Sequence, residues 1–229
     1  MHIVVIIIFF LLLVLGPQWW ARYTFRRYAN ALPRIPGSGG ELARHLLDQF
    51  GMSDVPVEKT ENGGDHYDPE HRAVRLSPDN YDSKSLTAVA VAAHEVGHAI
   101  QHQRNEPKLM LRHSLVKLAQ RTQQFGAGAM LLLPIAMAIT RAPSAGLVMA
   151  AIGLGSMATA TLVHLVTLPV ELDASFGKAL PILKAGNYIE PEDEIAVSRV
   201  LRAAALTYVA SSLASLLNLA RWLAFLRRA

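Results

Sequence analysis

The residues best suited to chemistry are His94, Glu95 and His98, in the run His94-Glu95-Val96-Gly97-His98. Residues four apart on a helix lie on one face, so both imidazoles can bind one metal ion, a pattern typical of zinc hydrolases. Glu95 projects beside them, where it can accept a proton from a water molecule on the metal. The alternative is a pair of core histidines bonded to backbone carbonyls. The run predicts one Zn²⁺ per chain, with Glu95 as catalytic base.

The segment around this run predicts a buried helix. Lys84 to Gln103 contains no proline, and Asp82 or Ser83 can cap its start. Leu86 to Ala93 is apolar on nearly every face, which is typical of a helix buried all round. Ionisable side chains in such a helix are costly unless a metal or hydrogen bonds satisfy them.

A catalytic zinc has three protein ligands, and we expect the third to be Glu171. This residue follows a long apolar stretch, where a carboxylate is expensive without a partner. Asp173 is the rival ligand. Since residues two apart do not share a helix face, one of the two can bind zinc while the other supports a histidine from the second shell. The alternative is a helix start with favourable acidic residues.

Composition limits the class of protein. The chain is 52% hydrophobic and only 17% charged, which is too apolar for an ordinary soluble domain. Cysteine is absent, so zinc must be held by histidine or carboxylate groups. The net charge is +4, and the basic residues flank apolar stretches. This favours a lipid bilayer, and not nucleic acid, as a partner.

The apolar stretches predict about four transmembrane helices: an anchor at 1–20, a hairpin at 125–169 and a C-terminal helix at 203–229. The alternatives are a cleaved signal peptide for the first and a buried helix of the soluble part for the last. Counting Lys and Arg near the span ends puts the active site on the cytoplasmic side, although the C-terminal arginines argue against it.

Between the spans lie a catalytic part at 21–124 and a third-ligand helix with its connector at 170–202. Short strands are expected at 55–60 and 73–77, joined as a hairpin by the turn at 61–65. We expect Val74, Arg75 and Leu76 to form an edge strand that pairs with an extended substrate peptide. The alternative is a plain structural hairpin.

Several motifs, in order along nearly the whole chain, resemble the YugP-like neutral zinc metallopeptidases of bacterial membranes and, more distantly, the HtpX-type membrane gluzincins. The resemblance implies a mainly α-helical integral membrane protein of the bacterial inner membrane, with a gluzincin-like zinc-peptidase core and a small β-hairpin or sheet. In the distant family a Glu-x-x-Ala-Asp motif begins with the glutamate ligand. Glu171 and Ala174 match it, but Ser175 stands in place of Asp. The motifs that carry the resemblance are Gly64–Pro69, Val74–Ser77, Ala92–Gln101, Leu168–Ser175 and Ala203–Ala210.

The function expected from these residues is hydrolysis of peptide bonds in a protein or peptide substrate. One alternative is a zinc hydrolase of a non-peptide amide or ester. Another is a non-catalytic membrane scaffold that contains zinc, but an intact Glu95 argues against it because structural zinc needs no base. Tyr81, His66 and Arg199 are unranked candidates for stabilising the oxyanion.

Overall fold

The computed structural model describes residues 2–61, 64–122 and 165–206, with single helical positions between 148 and 163; its side-chain description begins at Leu15. The chain is helical with one small sheet. Its elements are α1 (His2–Arg27), α2 (Gly39–Gln49), β1 (Val57–Lys59), β2 (His66–Asp68), β3 (Ala73–Leu76), α3 (Pro78–Tyr81), α4 (Leu86–Gln103), α5 (107–122), α6 (165–172), a π-helix (Asp173–Ala179), α7 (Leu180–Ala185), a 3₁₀ turn (Pro191–Asp193) and α8 (194–206).

Helix α4 lies at the centre of the fold, and the prediction of a buried helix here is confirmed. Every residue from Leu86 to Gln101 is buried. The N-cap is Ser85, two residues after Ser83 and three after Asp82, because its side chain accepts a hydrogen bond from the backbone N–H of Ala88. Helix α2 packs on one side of α4 and the π-helix on another. The apolar side chains of α4 therefore stabilise this protein's own core.

The sheet has the strand order β1-β3-β2, with β1 parallel and β2 antiparallel to β3. Strands occur where expected, near 55–60 and 73–77, but the predicted hairpin between them is wrong because they run parallel. The hairpin partner of β3 is β2, across a turn in which Arg72 adopts a positive φ of 50°. Strand periodicity is local, whereas the choice of partner depends on contacts distant in sequence.

The predicted edge strand Val74–Leu76 is also wrong, since β3 is the central strand. Its backbone pairs with β1 on one side and with β2 on the other, and the side chains of Val74 and Leu76 are fully buried. A strand paired on both sides has no free row of N–H and C=O groups to offer a peptide. Of the three described strands, β1 and β2 form the edges.

The π-helix brings the chain from α6 close to α4. Gly97 of α4 faces the backbone of Ala174, and a Cβ atom at Gly97 would lie 2.8 Å from the Ala174 carbonyl oxygen. Only glycine permits this approach without a shift of one backbone. A π-turn is a wider turn that is frequent at functional sites. Here it begins two residues after Glu171.

The prediction of an integral membrane protein with about four transmembrane helices is contradicted. Among the residues that the structure describes, no helix is both long and apolar enough to cross a membrane. Helix α4 buries its apolar side chains against protein, and the end of α1 carries Arg26 and Arg27. Hydropathy does not distinguish a lipid-facing helix from a core helix. The predicted spans at 125–169 and 203–229 lie largely outside the described residues.

Candidate metal centre

His94, His98 and Glu171 converge in the buried space between α4 and the end of α6. The Nε2 atoms of both histidines lie 3.2 Å from Oε2 of Glu171. One possible ligand atom from each residue lies within 4.8 Å of the others, and all three residues are buried. The helical spacing brings the two imidazoles together, and the return of the chain through α6 adds the carboxylate.

The outer nitrogen of His94 is held by Ser175. The Ser175 hydroxyl donates to the backbone carbonyl of Leu201 at 3.1 Å, so its oxygen is free to accept from His94 Nδ1 at 3.0 Å. This bond places the proton of a neutral His94 on Nδ1 and leaves the Nε2 lone pair directed at Glu171. Ser175 therefore orients His94 through its Nδ1 atom.

The outer nitrogen of His98 is held by Gln101. The amide NH₂ of Gln101 faces two groups that only accept, the carbonyl of Val170 at 3.0 Å and the carboxylate of Asp173 at 2.7 Å. The amide oxygen must then face His98 Nδ1, which lies 2.9 Å away. A neutral His98 is therefore also protonated on Nδ1. Asp173, the predicted second-shell residue, contacts Gln101 and reaches His98 only through it.

These bonds make the cluster fit a metal ion. With both imidazoles protonated on Nδ1, two Nε2 lone pairs and a carboxylate oxygen face one another with no proton to share. Such an arrangement is repulsive in a buried site unless a cation lies between the three atoms. Two histidines and one glutamate are also a donor set that zinc takes in catalytic sites.

The Glu171 carboxyl group is held as an anion. Burial raises the pKa of Glu171, but the charge that His98 and His94 carry when protonated outweighs it and lowers the pKa below its ordinary value. The second oxygen, Oε1, makes no hydrogen bond, yet it lies 3.2 Å from Nη1 of Arg112 in an ion pair. The carboxylate thus turns one oxygen to the histidines and the other to a cation on α5.

Glu95 is buried beside the histidines, and the pKa of its carboxyl group lies above the ordinary value. Burial raises the pKa of Glu95 to about 7, with the Glu171 carboxylate adding to the effect and His94 opposing it. The backbone of Tyr67 in β2 lies near enough to Glu95 to oppose the rise slightly. A carboxyl group with a pKa near 7 can both take up and release a proton at neutral pH.

An open cleft of about 790 Å³ lies above these residues. One wall is β2 with the loops on either side of it, and the other is a face of α5 that sequence reasoning missed. The signal for that face is the i, i+3, i+4, i+7 spacing of its members. The α5 residues that line the cleft are Leu109, Arg112, His113, Val116, Lys117 and Gln120.

Tyr67, His102 and His113 form a connected group along the cleft. The Tyr67 hydroxyl lies 2.8 Å from Nδ1 of His102, whose ring meets that of His113 edge to face. Burial lowers the pKa of His113 to about 4, and the nearby cation of Arg112 adds to the effect. Of the unranked oxyanion candidates, His66 lines the cleft, whereas Tyr81 and Arg199 are not among the described residues that do.

The acidic residues near β2 have structural partners. Asp65 accepts hydrogen bonds from Ser77 and Asn80, and Asp68 caps the β2–β3 turn and pairs with Arg75. These bonds are the turn chemistry typical of aspartate. Of the described residues, His94, His98 and Glu171 form the metal-binding group.

Residues 3–227 match the family described as "Putative neutral zinc metallopeptidase". The chain belongs to this family. It is 38% identical over 213 residues to a protein of Bacillus subtilis (strain 168) named "Putative membrane protease YugP", which covers 91% of each chain. No solved structure matches. The family resemblance seen in the sequence is confirmed, and so is the zinc cofactor, since His94, His98 and Glu171 form a group able to hold it.

Proposed function

We propose that this chain is a zinc-dependent metalloendopeptidase of the gluzincin type. The observation that carries the proposal is a buried carboxyl group, Glu95, placed beside a His-His-Glu metal site at the floor of an open cleft. A structural zinc site has no use for such a base and is closed by a fourth protein ligand. The name of the Bacillus relative, a protease, agrees with it.

His94, His98 and Glu171 are the proposed ligands. Zinc bound there supplies a Lewis acid that lowers the pKa of water to about 7 and polarises a carbonyl group. The residues around it keep each ligand atom deprotonated. Ser175 and Gln101 hold the imidazole protons on the far nitrogens, and the ion pair with Arg112 keeps Glu171 ionised.

Glu95 is the proposed general base and acid. Its carboxylate accepts the proton of the attacking water and then delivers that proton to the leaving amine, so the side chain ends each cycle in its starting state.

The proposed substrate strand is β2 in place of β3. Strand β2 pairs on one side only among the described strands, and His66, Tyr67 and Asp68 all line the cleft. An extended peptide lying between β2 and α5 can add to this edge by backbone hydrogen bonds. Tyr67 also lies beside Glu95, so the same strand borders both the base and the proposed peptide.

We also carry over from the relative's name an association with a membrane. The placement of the active site on the cytoplasmic side of the bacterial membrane rests on the distribution of Lys and Arg along the chain. Lipid and a protein or peptide substrate are then the proposed partners. Cell fractionation with protease accessibility tests the location independently of the chemistry. Recovery of the chain wholly in the soluble fraction would contradict it.

The test of the activity is cleavage of an unfolded model protein by the purified full chain. Glu95→Gln is compared with Glu194→Gln, a matched change at an exposed glutamate paired with Lys184. We expect Glu95→Gln to lose about 10²–10⁴-fold in rate, as general acid–base groups do, while its zinc content is unchanged. Glu194→Gln should match the wild type. Equal cleavage by both variants, or absence of zinc from the wild-type chain, would refute the proposal.

A further inference from the structure

A buried lysine lies behind the metal centre and has no part in the chemistry described so far. Lys178 is in the π-helix, with only 8% of its side chain exposed. Its ammonium group bonds to Oδ2 of Asp173 and lies 2.9 Å from Oε1 of Glu106. A buried ammonium is costly and is retained only when carboxylates compensate it.

Hydrogen bonds connect the Lys178 ammonium group, through Asp173 and Gln101, to the proposed zinc ligand His98. The Asp173 oxygen that it contacts also accepts the Gln101 amide at 2.7 Å. Gln101 in turn accepts from Nδ1 of His98 at 2.9 Å. We call Lys178, Asp173, Gln101 and His98 the Lys178 relay, with Glu106 as its second carboxylate.

The direction of each bond in the relay depends on the one before it. Gln101 presents its oxygen to His98 only while its NH₂ group faces acceptors. Asp173 is one of those acceptors, and its side chain is 40% exposed, so water competes for it. If Asp173 turned outward, only the Val170 carbonyl, at 3.0 Å, would still oppose a flip of the Gln101 amide that presents NH₂ to His98. The imidazole proton would then favour Nε2, and the lone pair that faces the metal would be lost.

We propose that Lys178, together with Glu106, is a positioning residue of the zinc site, which acts through Asp173 and Gln101 to keep His98 in its metal-binding tautomer. The inference rests on the proposed function in that His98 binds zinc. His94 is supported without a charge, by the Ser175 hydroxyl. The relay therefore makes the two histidines depend on different residues.

Lys178→Met in the full chain tests the relay, with Lys184→Met as its matched control. Lys184 is half exposed and pairs with Glu194 at 2.7 Å, away from the cleft. Zinc affinity is measured by competition with a chelator. We expect Lys178→Met to weaken zinc binding about 10–100-fold, the range found for groups that support metal ligands, and Lys184→Met to stay within about twofold of the wild type.

A second readout follows the tautomer directly in the zinc-free protein. Long-range ¹H–¹⁵N spectra of the histidine rings distinguish a proton on Nδ1 from one on Nε2. We expect His98 to be protonated on Nδ1 in the wild type and to show a mixture in Lys178→Met, while His94 is unchanged. A purely structural lysine would disturb both rings or neither.

A double-mutant cycle with Gln101→Met tests whether Lys178 acts through the amide. If it does, the double variant binds zinc no more weakly than Gln101→Met alone, because the relay is already broken. Additive losses would overturn the inference. The inference would also be overturned if Lys178→Met had the same zinc affinity and the same His98 tautomer as the control Lys184→Met.

Glu106→Gln serves if Lys178→Met does not fold, since the Glu106 side chain is partly exposed. Glu106→Gln should weaken zinc binding by less than Lys178→Met. If neither the zinc affinity nor the His98 tautomer changed, the inference would be overturned. If the wild-type chain bound no zinc, the proposed function would fail, while the spectra of the zinc-free protein would still decide the relay.

Discussion

Helix α4 and the segment from α6 to α7 both build the metal centre, but they do so in different ways. Helix α4 is a regular helix that carries His94, Glu95 and His98 within five residues. The α6–α7 segment passes from α-helix to π-helix and back, and it holds Glu171 together with the groups that orient both histidines. The first region carries the base and two ligands, and the second completes and aligns them.

The comparison teaches that the familiar five-residue run is only half of the site. The α4 imidazoles could bind a metal through either nitrogen, and Ser175 and the Lys178 relay select Nε2. The two regions meet at Gly97, where the backbone of Ala174 lies against α4. Changes at this contact should therefore affect the metal site without altering any ligand.

Gly97→Ala should give the largest effect, because it separates the two regions. The new methyl group would lie 2.8 Å from the Ala174 carbonyl oxygen, so one backbone must move. Overpacking lowers the free energy of unfolding by about 1–3 kcal/mol. The higher helix propensity of alanine over glycine offsets up to about 1 kcal/mol of this loss. We expect a lower free energy of unfolding in denaturant and weaker zinc binding. Gly16→Ala, where a Cβ atom meets nothing within 4 Å, is the control and should not lose stability.

Ser175→Ala should give an intermediate effect, which tests the support of His94 separately from that of His98. Without the hydroxyl, Nδ1 of His94 has lost its acceptor, and zinc affinity should fall about tenfold. The matched control is Ser114→Ala, since Ser114 also donates to a backbone carbonyl, at 3.0 Å, but on α5. An unchanged affinity, or a change in the His98 ring instead of His94, would contradict this assignment.

His113→Gln should give the smallest effect, since His113 belongs to the α5 wall and to neither region. Burial lowers its pKa to about 4 from an ordinary value of 6.5. The unfolded chain therefore binds the proton more strongly, and stability falls as the pH falls from about 6.5 to about 4. His113 is partly exposed, so its contribution is on the order of 1 kcal/mol or less. Unfolding of the zinc-free protein across this range should be less pH-dependent in the variant; equal slopes would contradict the shift.

Local patterns in the chain predict much of the site and part of the fold. The apolar run before His94 predicts a buried helix, and Glu171 was identified by counting ligands along the chain. The prediction of an edge strand at Val74–Leu76 is wrong because strand order is decided by pairing between distant segments. The prediction of transmembrane helices is contradicted among the described residues. Hydropathy measures the preference of a side chain for leaving water, and it does not distinguish contact with lipid from contact with protein.

The amino-acid sequence by itself determined the zinc chemistry, because residues four apart on a helix must share a face. It also determined the family, through motifs that run along nearly the whole chain. Only the tertiary structure decided which strand edges the cleft, that α5 forms its second wall, and that Ser175 and the Lys178 relay orient the histidines. The physical reason is that a hydrogen bond between Ser175 and His94 joins residues 81 apart in the chain. Such a bond leaves no periodic trace in sequence, because only the folded backbone brings its two ends together.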